Sequence, residues 1–214
     1  MLVRKERPEL IGTTWTVTRR RPVAFSCPGC GREGEAQRTA LQCHVAILDR
    51  RIARLGSPET YATCPHCGRA FCLDAMDGGR AGPDLSADEA ALAGLVAAVV
   101  YSDSVVRNTE KEAARRVINA YTGRDYPPVE FNEMLQRARR RWGDPVARLE
   151  KLAGVISEPT RRRILVGAYR VCAADGELHR EESKLLDRVG DALDLSPRDV
   201  RATLRQAKAR RLTG

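Results

Sequence analysis

With 214 residues, 43% of them hydrophobic, the chain has apolar material for one ordinary domain and a smaller partner, which sets aside a wholly disordered polypeptide. Its 37 Lys and Arg outnumber 28 Asp and Glu to give a formal charge of +9, but acidic residues run through the same segments, so most charges read as solvated faces. The longest apolar run, Leu92 to Tyr101, is too short for a bilayer and Met1 to Arg7 hold no apolar leader, so the expectation is a cytoplasmic protein without membrane insertion.

Trp15 to Val17 and Pro22 to Phe25 read as short strands. From Thr39 to Leu55 the apolar residues Leu41, Val45, Leu48, Ile52 and Leu55 recur at helical spacing, which predicts a helix inserted in the N-terminal region. On either side stand two copies of one device, Cys27-Pro28-Gly29-Cys30-Gly31-Arg32 and Cys64-Pro65-His66-Cys67-Gly68-Arg69. Two cysteines spaced this way around a tight turn present both sulfurs to one ion, while Pro stiffens the turn and Gly permits a left-handed backbone. Four such ligands make a closed tetrahedral site, structural in character, and zinc is the expected ion. Seven cysteines are an odd number, and six crowd between residues 27 and 72, which suits metal ligation in a reducing compartment better than disulfides.

The paired motifs resemble those of zinc-ribbon folds over residues 22–74, although 33 residues between the pairs exceed what a minimal ribbon needs. Cys43, His44, His66 and Cys72 stand nearby, either as parts of a second metal site or as packing residues, for a free cysteine often serves as a small buried hydrophobe. Asp77 to Pro83 is a run of turn formers, and it separates a domain at 1–80 from one at 81–214.

Beyond it the pattern is helical throughout. Ser86 followed by Glu89 is a capping box opening a helix with the stripe Leu92, Leu95, Val96, Val99 and Val100. Further helices fit Glu110 to Thr122, Val129 to Trp142 and Pro145 to Ile156, with Glu158-Pro159 closing that set. Thr160 to Ala174, Arg180 to Leu193 and Pro197 to Arg210 complete an all-α bundle of about seven helices, the last capped by Ser196. Sliding residues 92–123 onto 164–195, an offset of 72, superimposes two helix-turn-helix units and lays Asp103 on Asp175 and Glu110 on Glu182.

The stretch Ala173-Ala174-Asp175-Gly176-Glu177-Leu178-His179-Arg180-Glu181-Glu182, with Leu185-Leu186 and Leu195-Ser196-Pro197, resembles the tellurite-resistance TerB-like family, whose mark is an Ala-Asp-Gly turn followed by a helix-opening glutamate. The resemblance spans roughly residues 84–212. It implies an all-helical bundle whose acidic turns, here Asp103, Glu110, Asp175 and Glu182, hold a divalent ion, in a protein of tellurite or other stress response or defence. The first turn departs from the pattern, with Ser104 where the glycine would stand. Capping also accounts for these residues: Gly176 suits a left-handed position after a helix, and Glu182 at the third position of the next can accept from the His179 amide.

No arrangement of nucleophile and base is evident. Cys172 falls at a core-like helical position, His179 in an exposed segment, and the seven-residue spacing of Asp175 and Glu182 is better explained by helix ends than by acid–base catalysis. The expected function is therefore a non-enzymatic adaptor or sensor that docks a protein partner through its ribbon. The competing expectation is a nucleic-acid-binding ribbon protein, based on Arg19-Arg20-Arg21, Arg50-Arg51 and the tail Arg201, Arg205, Lys208, Arg210 and Arg211. Against it, aromatic residues are only 5% of the chain, so stacking surfaces for single strands are scarce.

Overall fold

A computed structural model describes residues 11–47, 50–73, 85–101, 108–141, 144–174, 176 and 178–212. Five strands, β1 (Ile11–Arg19), β2 (Val23–Ser26), β3 (Glu33–Ile47), β4 (Arg50–Thr63) and β5 (Ala70–Cys72), precede the helices. Among the described residues there are seven helices: α1 (Ala87–Val100), α2 (Asn108–Thr122), α3 (Pro128–Arg141), α4 (Pro145–Ala153), α5 (Glu158–Cys172), α6 (Arg180–Ala192) and α7 (Pro197–Leu212). Two compact units result, one of Met1–Cys67 and Phe71–Pro83, the other of Gly68–Ala70 and Asp84–Gly214.

The first unit is an antiparallel sheet organised by β3, which pairs with β1 and β4 along most of its length and with β2 at its start. The expected inserted helix between Thr39 and Leu55 is absent, because this stretch forms the facing strands β3 and β4. Leu41, Cys43, Val45 and Ile47 alternate at the strand period while Leu41, Val45, Leu48 and Ile52 fit the helical one, and the pairing decides between the two periods. Leu41 lies opposite Val17, and Cys43 lies between Trp15 and Leu55, so apolar residues of three strands share one face. Phe25, Ala36, Ala62 and Phe71 form a small core with the sulfurs of Cys27 and Cys64, the two phenyl rings 5.8 Å apart. A core this small needs a second source of stability.

In the second unit α1 is the central helix, packed against α2, α3, α4 and α5. Nearly every side of it is apolar, and it is buried accordingly, beyond the single stripe expected. The Ser86–Glu89 capping box forms as predicted. Asp88 and Glu89 are 0% and 1% exposed, which demands compensation for two carboxylates. Glu89 meets Arg69 at 3.2 Å, and Asp88 accepts from the Tyr121 hydroxyl at 3.0 Å and the Ala70 amide at 3.3 Å. Arg69 also donates to the Thr122 carbonyl at 3.0 Å.

Glu158 and Pro159, expected as the break before a helix starting at Thr160, instead form the first turn of α5 after the N-cap Ser157; a first turn tolerates proline because its amides lack partners anyway. The internal repeat matches element boundaries. Helices α1 and α5 end at Val100 and Cys172, and α2 and α6 begin at Asn108 and Arg180, each pair 72 residues apart.

Candidate metal centre

Each cysteine motif places the glycine after its second cysteine in the left-handed region, Gly31 at φ +68° and Gly68 at φ +70°. The turns are thus near copies. In the first, the Gly31 amide donates to the Cys27 carbonyl at 2.8 Å and the Cys27 amide to Arg32 at 3.0 Å. The sulfurs of Cys27, Cys30, Cys64 and Cys67 all lie within 4.8 Å of one another, as the sequence spacing predicts. Cys27 and Cys67 are 3.6 Å apart and Cys30 and Cys64 3.9 Å. A tetrahedron with metal–sulfur bonds of about 2.3 Å has edges of about 3.8 Å, so the donors fit a thiophilic ion in closed four-fold coordination. Such an ion would be held by these four residues and would tie the two turns together.

The local fields favour unequal sulfurs. Burial raises the Cys27 thiol, only partly offset by the amides of Cys30 and Gly29. At Cys64 burial is again the largest influence and opposes ionisation, but the amides of Cys67 and His66 together with hydrogen bonds from Cys27 and Cys67 bring the thiol down to about 7. Cys43, His44, His66 and Cys72 do not join this group among the described residues. His44 instead bonds the Thr16 hydroxyl at 2.9 Å, and His66 packs beside Gly34.

Of the predicted acidic residues, Asp103 and Asp175 lie outside the described residues. Glu110 and Glu182, each third in its helix, line one cavity of about 290 Å³ together with Cys172 and Glu181. Glu182 also accepts from the His179 amide at 2.7 Å, so the expected cap exists alongside the cavity. Gly176 has a positive φ of +111°, but the helix before it ends at Cys172 with Ala173 as its C-cap, so the glycine lies three residues beyond the cap and not at the position directly after it that the sequence suggested. The Cys172 thiol is pushed up to about 12, first by burial and then by the Glu182 charge. The sequence reading missed Glu181 as a third carboxylate at this cavity, although its place beside Glu182 in the first turn of α6 was a usable signal. It also missed the burial of Asp88 and Glu89, which look like ordinary first-turn acids until the helix around them proves to be the core.

The family model described as Tellurite resistance protein TerB matches residues 89–205. No curated protein and no solved structure matches the chain.

Proposed function

Because that match covers more than half of its residues, the chain belongs to the TerB family, and from that membership we propose a non-enzymatic, cytoplasmic adaptor or sensor for stress response, tellurite included. In this reading the four cysteines hold a structural zinc ion that stabilises the sheet unit as a docking module for a protein partner. The helical unit responds to a divalent ion taken up by Glu110 and Glu182 with the acidic residues of the two turns, Asp103 and Asp175. The observation that carries the reading is the convergence of Glu110 and Glu182, matched positions of an internal repeat, on one cavity. Oxygen donors of this kind suit Ca²⁺, Mg²⁺ or Mn²⁺, and water would complete the coordination.

The test is metal analysis of protein purified without added metal, followed by calorimetric titration of the zinc-loaded chain with Ca²⁺, Mg²⁺ and Mn²⁺. One zinc per chain, lost in Cys64→Ser, and saturable uptake of a divalent ion are the expected results. Titrations without heat for any of the three ions sink the sensor reading.

A second reading, nucleic acid binding through the sheet unit, has an observation of its own. Arg38, Arg51 and Arg54 share the sheet face of Thr14 and His44, and with Arg19, Arg20, Arg21 and Arg50 they are exposed. None of these seven has an ion pair among the described residues, whereas Arg69, Arg115, Arg161 and Arg162 of the helical unit all do. Phosphates would supply the missing counter-charge. Binding to a DNA duplex that weakens at least ~10-fold between about 50 and 200 mM salt, and again when Arg50, Arg51 and Arg54 are replaced by Ala, supports this reading. Salt-insensitive or absent binding removes it.

A further inference from the structure

Helix α5 carries four arginines, Arg161, Arg162, Arg163 and Arg170, whose surroundings differ. Arg161 pairs with Asp194 at 3.3 Å, and Arg162 with Glu158 and Asp199, both at 2.8 Å. Arg163 and Arg170 have no carboxylate partner among the described residues. Both line a cleft of about 300 Å³ between α2, α5 and α7, in a lining that contains no carboxylate.

The cleft is built for more than charge. The Arg163 guanidinium lies over the Tyr121 ring, 4.5 Å from its centre, and donates to the Tyr121 carbonyl at 3.1 Å. Held in this way, it keeps its remaining donors in a fixed fork, so less side-chain entropy is lost when an anion arrives. Arg170 stands two turns further on, about 10 Å along the axis, a gap that two long side chains can close from opposite sides. Between them the wall is apolar, formed by Val117, Val166 and Ala207. Two guanidinium groups favour a doubly charged group that can receive several N–H donors, which points to a phosphate more than to a carboxylate. The apolar wall asks for an organic body on that phosphate. The volume lies at the small end of ligand sites, suited to a molecule about the size of a nucleoside monophosphate.

We propose that the cleft between α2, α5 and α7 binds a small organic phosphate, its phosphate held by Arg163 and Arg170 and its body against Val117, Val166 and Ala207. This site is separate from the cavity at Glu110 and Glu182 and does not depend on the ion reading.

The experiment is calorimetric titration of the zinc-loaded full chain with adenosine monophosphate, inorganic phosphate and adenosine. Saturable binding of the monophosphate is expected, at least ~10-fold tighter than either fragment and weakened at least ~10-fold in Arg170→Gln. Arg163→Lys, which keeps the charge and loses the planar fork, should weaken it as well. Arg201→Gln, an exposed arginine outside the cleft lining, should bind like the parent chain. Far-UV dichroism and melting temperature establish that each variant is folded. No binding of the monophosphate or of inorganic phosphate overturns the proposal, as does unchanged binding in Arg170→Gln. Adenosine binding as tightly as its phosphate removes the role of the arginines, and inorganic phosphate binding as tightly removes that of the apolar wall.

Discussion

Arg69 and Glu89 meet where Glu89 is 1% exposed, and the value of the pair lies in what its loss would leave behind. Truncating Arg69 abandons a buried carboxylate beside a second one, Asp88. Arg69→Ala should therefore destabilise the helical unit by about 3 kcal/mol in urea unfolding, well beyond the effect of an exposed arginine. Glu182 allows a finer separation of roles. A glutamine there can still accept from the His179 amide, whereas an alanine cannot. Glu182→Ala should cost about 1 kcal/mol, with Glu182→Gln close to neutral in stability. Under the sensor reading both lose the divalent ion, and a Gln variant that binds it as before places Glu182 among the caps alone.

Between elements, α6 and α7 meet at Gly190, where an added Cβ would stand 2.5 Å from a methyl carbon of Val200. Gly190→Ala should destabilise by about 1–3 kcal/mol, and less when Val200→Ala accompanies it, a coupling that a double-mutant cycle in urea would read. Helix ends also carry a pH signature. Burial, and after it the Asp88 charge, pushes the Tyr121 phenol far above its usual range, and the Cys172 thiol is up at about 12. The unfolded chain ionises these groups first, from their ordinary values of 9.0 for Cys and 10.0 for Tyr. Their stabilisation is complete below about pH 9 and is lost as pH rises towards 12, so the urea midpoint should fall between pH 8 and 11.

The same elements show what was legible. The helices were, since the 3.6-residue period and capping residues such as Ser86 and Ser196 act within a few positions of themselves. The β3–β4 hairpin was not, because Leu41, Val45 and Leu55 satisfy both periods and the arbiter is β1, some 30 residues earlier. A bulge between Val45 and Ala46 and the left-handed Gly56 further break the alternation that would have announced a strand. The sulfur site was legible because its ligands come from two local turns, each self-contained. The arginine cleft was not, since it exists only once three helices are assembled.

Across the whole molecule the two units rest on different supports. Under the proposed zinc reading, a sheet unit whose core is a few apolar side chains around sulfurs should lose its fold when a chelator strips the metal under reducing conditions. The helical unit has the fully buried Leu92, Leu95, Leu135, Leu149, Ile164 and Leu186 and should keep its helical dichroism through the same treatment. A concerted collapse of both signals would contradict this division of labour.

Cys172 gives the bundle its own stopwatch. The residue is 2% exposed and its thiol is pushed up to about 12, so an alkylating reagent gains access only when the packing around it comes apart. Followed on the peptide that carries Cys172, the pace of labelling counts excursions from the native state, without any dye or fluorophore. Any ligand that settles between the helices would announce itself by slowing that count.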